Sequence, residues 1–323
     1  MTRTIRAIAV GLLGVGLVAA GSAGVDVDPA LPVYKAASGI SGDIKTVGSD
    51  TMVNIVSNWA EAFGKVYPAA RVQVEGKGSS TAPPALMKSQ AQFGPMSRAM
   101  EPEEIDAFRE EFGHEPTALR VAIDCVAVFV NKDCPLESIS LDQLERVFSV
   151  AGGDMRWGDL GVEDPGWRDR PISLYGRNSA SGTYKFFKQT AMGDQDYKPT
   201  VKEQPGSSGV ILAIAEDPYA MGYSGIGYAT ASVKALRVSF ETDEEAFAPD
   251  YEYALNGDYP MARFLYVYVN YDRRVGLDPL RAAFVRLVFS RQGQEAVLKD
   301  GAFPVIAETA REELTKVGLE PGF

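Results

Sequence analysis

The chain has 323 residues, 46% of them apolar, and a formal charge of −11 at pH 7. That acidity argues against nucleic acid as a partner, because binding to a phosphate backbone is driven by clustered Lys and Arg. A lone His114 and the lack of any Cys/His cluster speak against a structural zinc site.

Residues 1–23 read as a transport address. Arg3 and Arg6 precede an apolar run over 7–20, and Gly21, Ser22 and Ala23 follow it. A positive start, a short apolar stretch and a small-residue cleavage site mark a secretory signal peptide. The run is shorter than the roughly 20 apolar residues a spanning helix requires, and no later segment reaches that length. The expectation is a periplasmic protein without stable membrane insertion, and no Cys near the cleavage point offers a lipid anchor. Loss of Arg3 and Arg6 takes the charge from −11 to −13. Residues 24–40 are small, polar and Pro-containing, and read as a flexible lead-in.

Residues 43–48 read as a strand. Ser49, Asp50 and Thr51 then cap a helix whose apolar positions Met52, Ile55, Val56, Trp59, Phe63 and Val66 follow helical spacing. Tyr67-Pro68 ends it. Residues 71–76 alternate as a short strand, and Gly78-Ser79-Ser80-Thr81 opens a helix to about residue 90, with Pro83 and Pro84 tolerated in its first turn. Residues 91–96 form a short strand or turn ending at Ser97-Arg98, and 101–112 an acidic helix. Strand, capped helix, strand, capped helix is the α/β pattern, in which loops after the strand ends gather on one edge of a mostly parallel sheet.

Residues 121–130 and 264–269 are the most continuous apolar, β-rich runs. Cys125 and Cys134 permit a disulfide in an oxidising compartment, while the extended run through Cys125 works against the roughly 7 Å Cα separation a bridge requires. Between the two runs lie a strand over 171–176, the stretch Arg177-Asn178-Ser179-Ala180-Ser181-Gly182-Thr183-Tyr184, a helix from about 184, and a Gly-rich strand-like segment over 221–228. Helices over 280–289 and 292–299 close the chain. About 300 mature residues exceed what one core usually organises. The reading is two α/β lobes, each a mostly parallel sheet flanked by helices, joined by two crossing strands. Lobe I comprises 41–124 with 266–323, and lobe II, inserted, comprises 125–265. A cleft between lobes is where ligands prefer to sit.

Three strand-to-helix junctions carry hydroxyls: Ser49/Thr51, Ser79/Ser80/Thr81 and Ser181/Thr183. Any one alone is explained by the preference of Ser and Thr for N-caps. Three beside glycines, two of them with an Arg nearby, point to a small oxyanion. Glycines let backbone approach closely, each helix N-terminus carries about +0.5 charge, and a guanidinium can make two parallel bonds to two oxygens. Arg177 is the first candidate for that fork and Arg98 the second. Gly76-Lys77-Gly78-Ser79 lacks the spacing of a nucleotide phosphate loop, so Lys77 reads as solvated.

The set Gly48-Ser49-Asp50-Thr51-Met52, Gly76-Lys77-Gly78-Ser79-Ser80, Phe93-Gly94-Pro95-Met96-Ser97-Arg98 and Arg177 to Thr183, followed by Gly301-Ala302-Phe303-Pro304-Val305, resembles the phosphate-binding component of phosphate ABC transporters over nearly the whole mature chain. The resemblance implies a type II periplasmic binding protein whose lobes close on one dehydrated phosphate. Carried over by motif, the ligands would be Ser49, Thr51 and the Met52 amide, Ser79 or Ser80, Ser97 with Arg98, Arg177, Ser181, Gly182 and Thr183. Better-known relatives place an Asp where Ser97 falls, and a carboxylate there accepts the proton of hydrogen phosphate while repelling sulfate. Asp50 could serve instead if it points inward; Glu75 is a weaker candidate.

The leading expectation is a monomer, without cofactor, that captures inorganic phosphate and delivers it to the membrane permease of an ABC transporter. A binding protein for sulfate, molybdate, tungstate or an organic phosphate is the alternative within the class. A secreted phosphatase fits poorly: there is no metal-ligand cluster or Gly-x-Ser-x-Gly elbow, and Lys185 is wrongly spaced from Ser181 for a Ser-x-x-Lys motif. A sensing or surface-interaction role for the same anion site is the further alternative.

Overall fold

In the computed structural model, which describes residues 25–323, the first unit follows the punctuation of the chain. The signal-peptide reading lies outside the described residues. β1 (Gly42–Gly48) pairs in parallel with β2 (Ala70–Gly76), and α1 (Val53–Val66) connects them. α1 buries Ile55, Val56, Trp59 and Phe63 on one face, and the Trp59 indole donates to Gly293 O at 2.8 Å. Burial of side chains this large stabilises by roughly 1.5–3 kcal/mol each, and this face holds the helix more firmly than its propensity does.

A 3-10 turn (Ser79–Thr81) leads into α2 (Ala82–Met87), β3 (Phe93–Met96) and α3 (Pro102–Phe112). The long β4 (Thr117–Asn131) then passes into a second unit. There follow β5 (Ser138–Ser140), α4 (Leu141–Phe148), β6 (Ser173–Arg177), α5 (Gly182–Ala191), β7 (Lys202–Gln204), α6 (Ser207–Glu216) and β8 (Ala220–Gly225). After β9 (Val233–Ala235), β10 (Arg237–Ser239) and α7 (Tyr251–Asn256), β11 (Ala262–Val269) returns to the first unit. α8 (Pro279–Val288), α9 (Arg291–Lys299) and α10 (Ala307–Lys316) complete it.

The main sheet runs β2-β1-β3-β11-β4-β8-β6-β7, with β9 also on β4; β5 and β10 form a separate pair. β1, β2 and β3 are parallel to one another, as are β6, β7 and β8. The crossing strands β4 and β11 are antiparallel to each other, and each is antiparallel to its outer neighbour. Two cores flank the crossing. One gathers α1, the first part of β4, most of β11 and α8–α10, and the other gathers the rest of β4 with α4, α5, α6 and β8. Along β4 the change falls between Ala122 and Ile123, and along β11 between Phe264 and Leu265.

Several local expectations change. Neither Ser49 nor Thr51 caps α1: Met52 is its N-cap and makes no side-chain cap bond, so both hydroxyls are free for other partners. α2 stops at Met87, short of residue 90, and Ser89 follows in the left-handed region at φ 52°. The lead-in is held in place. Leu31 is buried, the Tyr34 and Tyr67 hydroxyls are 2.8 Å apart, and Asp28 Oδ2 accepts from Ala307 N at 2.8 Å. Cys125 and Cys134 are both buried free thiols, Cys125 within β4 and Cys134 beyond its end. Among the described residues no helix is long and apolar enough to cross a membrane.

Candidate anion-binding site

The C-terminal edges of β1, β2 and β3 build one half of the site. Lys77 N and Gly78 N both donate to Gly48 O at 2.9 Å, and Ser49 N donates to Pro95 O at 2.7 Å, so three loops are tied together. This brings the buried residues Ser49, Thr51, Ser79 and Ser97 to one edge. Ser97 N donates to Ser79 Oγ at 3.0 Å, and the two hydroxyls are 3.3 Å apart.

The start of α5 builds the facing half. Ser181 caps it, its Oγ accepting from Tyr184 N at 3.3 Å. The N–H groups of Gly182 and Thr183, in the first turn, have no intrahelical acceptor and sit at the positive end of the helix dipole. Thr183 Oγ1 lies 3.0 Å from Thr51 Oγ1. Gly182 allows the close approach: a Cβ there would stand 2.3 Å from Ser79 Oγ and 2.7 Å from Ser97 Oγ. Gly78 does the same from the other side, with φ at +105° and space for no Cβ against Ala180 O, which also accepts from Ser80 N at 3.1 Å.

Charged groups close the ring. Arg177 ends β6, is buried, and donates through Nη2 to Asp50 Oδ1 at 2.5 Å and through Nη1 to Ser207 Oγ at 2.9 Å. Asp50 Oδ2 accepts from Ser207 N at 3.1 Å. Asp50 therefore points inward rather than capping α1. Arg177 Nε and Ser49 Oγ are buried with no hydrogen-bond partner among the described residues, and such orphaned donors are rare unless a ligand or water meets them.

Not every expected group converges. Arg98 donates to both carboxylate oxygens of Glu104 at 2.7 Å, to Ala99 O at 2.8 Å and to Ser80 Oγ at 3.1 Å. Its guanidinium is anchored on α3, and it borders the cluster through Ser80. Met52 buries its side chain in the first core and brings only backbone to the site. Glu75 pairs with Lys45 and Lys77 on the outer surface, away from the hydroxyls.

Four residues of the cluster escaped the sequence reading. Ser207 opens α6 after Pro205-Gly206, the same Gly-then-hydroxyl pattern as the other junctions, and could have been found by it. Tyr228 donates to Asp50 O at 3.2 Å and Thr51 O at 3.0 Å. Arg263 and Asp124 face each other in the β4–β11 register, with Nη2 2.7 Å from Oδ2. Arg263 also donates to Ser97 O at 2.8 Å and Thr183 Oγ1 at 3.0 Å. Burial raises the Asp124 carboxyl and lowers the Arg263 guanidinium from their ordinary values, while their mutual attraction opposes both shifts. The available signal was a lone charge inside one apolar run, Asp124, and another at the edge of the second, Arg263, each of which requires a partner when buried.

Two guanidiniums, two carboxylates, the hydroxyls of Ser49, Thr51, Ser79, Ser97, Thr183 and Ser207, and the N-termini of α5 and α6 thus meet where the lobes touch. The two ion pairs cancel, so the surplus is one of oriented N–H and O–H donors. Such an arrangement replaces the hydration of a small anion without a large net charge.

A profile of the PBP superfamily domain matches residues 34–292. The chain is 44% identical over 326 residues to the phosphate-binding protein PstS of Pseudomonas aeruginosa, covering 99% of each. Among solved structures it is similar to a putative phosphate ABC transporter substrate-binding protein with bound phosphate from Clostridium perfringens, with TM-score 0.70, 23% identity, and 82% and 100% of the two chains covered. A phosphate transport receptor of the ABC type from Vibrio cholerae gives TM-score 0.65 at 22% identity, covering 81% and 100%.

Proposed function

Because the chain belongs to the PBP superfamily and, within it, to the PstS phosphate-binding proteins, we propose that it captures inorganic phosphate in the periplasm and delivers it to an ABC-type permease. It acts as a monomeric binding protein and not as an enzyme. The observation that carries this reading is the meeting, across the lobes, of Arg177 with Asp50 and of the first turn of α5 with Thr51, Ser79 and Ser97. In the proposed complex one lobe, residues 41–124 with 266–323, receives the anion on Ser49, Thr51, the Met52 amide, Ser79 and Ser97. The inserted lobe, 125–265, then brings Arg177, Ser181, Gly182, Thr183 and the additional Ser207 onto it. Asp50 accepts the proton of hydrogen phosphate, which supports phosphate over sulfate.

A micromolar dissociation constant corresponds to about −8.2 kcal/mol, within reach of several charge-assisted bonds in a dry cleft. Calorimetric titration tests the reading. Phosphate binds and sulfate competes weakly, and Arg177→Ala lowers phosphate affinity at least tenfold with the circular dichroism spectrum intact. Equal binding of sulfate, or an Arg177→Ala variant that binds phosphate like the wild type, removes the assignment.

A further inference from the structure

We propose that Arg263 is a positioning residue of the anion site: held by Asp124, it fixes the Thr183 hydroxyl as a donor toward the cleft and joins the Ser97 segment of one lobe to α5 of the other. The inference rests on the phosphate-binding reading above. Its basis is directionality. A guanidinium can only donate and a carboxylate can only accept, while a hydroxyl turns to suit its neighbours.

Thr183 Oγ1 accepts from Arg263 Nη2 at 3.0 Å, so its own hydrogen is turned away from Arg263, and Thr51 Oγ1 lies within its reach at 3.0 Å. Thr51 Oγ1 lies 3.4 Å from Ser207 Oγ, and Ser207 Oγ donates to Asp50 Oδ2 at 3.4 Å. The chain of hydroxyls begins on a group that only donates and ends on one that only accepts. Between such ends, hydroxyls that each pass one hydrogen onward are all polarised the same way. An anion entering the cleft replaces Thr51 Oγ1 as the partner of a Thr183 hydroxyl that Arg263 already keeps turned away from itself.

Arg263 is placed for this task at the level where β4 and β11 pass from one core to the other. Its side chain is 3% exposed and that of Asp124 4%, so both charges are fully desolvated. A buried pair of this kind is weak evidence for stability, since apolar residues of the same shape often hold a fold as well or better. Its contacts are those of an organiser. Besides Asp124 it touches Ser97 O and Thr183 Oγ1, one on each side of the cleft, and its guanidinium carbon stands 5.2 Å from the ring centre of Phe186 on α5. That stacking sets the plane of the fork.

Arg263→Lys keeps a positive charge beside Asp124, but a single ammonium cannot serve Asp124, Ser97 O and Thr183 Oγ1 together. The expected result by calorimetry is a folded variant with phosphate affinity reduced at least tenfold. Thr183→Val gives a similar loss, and the double variant binds within twofold of Thr183→Val alone, because Arg263 acts through that hydroxyl. Losses that multiply in the double variant, or phosphate binding by Arg263→Lys within twofold of wild type, overturn the inference. Should Arg263→Lys not fold, the neutral pair Asp124→Asn with Arg263→Gln carries the same cycle; failure of both to fold makes Arg263 a folding residue and also overturns it. Wild-type protein that binds no phosphate removes the parent reading, whereas wild-type binding that survives Arg263→Lys removes this inference alone.

Discussion

Arg177 and Asp50 pair across the cleft, with Nη2 2.5 Å from Oδ1, although 126 residues separate them in the chain. Arg177 ends β6 in the second unit, and Asp50 follows β1 in the first. In this structure the Asp50 carboxylate takes donors from Arg177 and Ser207 that an entering anion would also seek. In the proposed complex Asp50 would therefore be both an acceptor for a protonated ligand and a competitor of an unprotonated one.

The first prediction follows from that double role. Asp50→Asn removes the negative charge while preserving shape, so sulfate gains more than phosphate. The ratio of phosphate to sulfate affinity, measured by competition calorimetry near pH 8, should fall at least tenfold. Ligand-free stability should drop as well, because the buried Arg177 guanidinium loses its counter-charge, and saturating anion should recover part of it. An unchanged affinity ratio would place selectivity on another group.

Gly182 provides a steric test. A Cβ at this position would stand 2.3 Å from Ser79 Oγ and 2.7 Å from Ser97 Oγ, well inside contact distance. Gly182→Ala should leave the far-ultraviolet circular dichroism unchanged, since α5 itself accommodates Ala. Phosphate affinity should fall at least tenfold because the lobes cannot approach. Wild-type affinity in the variant would show that closure does not require this contact.

Asp300 gives the pH prediction. It lines a cavity of about 10 Å³ with Thr51, Asp124 and Tyr228. Burial, with the charge of Asp124 adding to it, pushes its carboxyl up to about 7 despite a bond from Asn54. In the unfolded chain an Asp titrates near pH 4. Between about pH 4 and 7 the unfolded state has lost this proton and the folded state retains it, so this residue's contribution to stability falls as pH rises through the window. Asp300→Asn should thus melt close to the wild type near pH 4, and increasingly above it up to pH 7. A melting-point difference that stays flat over this range would contradict the assignment.

Much of the molecule was legible because local grammar reports local structure. Helical spacing of Ile55, Val56, Trp59 and Phe63 marks the face that α1 buries. The apolar runs around residues 121–130 and 264–269 mark strands covered on both sides, and these became the crossing pair β4 and β11. Ser181-Gly182-Thr183 after a strand announces an open helix N-terminus. The helices α4, α6, α7 and α10 were not anticipated; α6 is apolar through most of its length and displays no clean stripe, and the stripe of α10 rests on Ala307, Ala310 and Leu314 in a largely charged segment.

By itself the sequence determined the α/β class and the hydroxyl-bearing junctions from which the anion site is proposed, since these depend on neighbours a few positions apart. Only the tertiary structure decided which partner each charged side chain takes. Asp50 turns to Arg177 instead of its own helix, Arg98 is drawn to Glu104, and Arg263 finds Asp124 and Thr183. Those choices are made by distances of about 3 Å between residues far apart in the chain, where desolvated charges must pair, and no periodicity in the sequence records them.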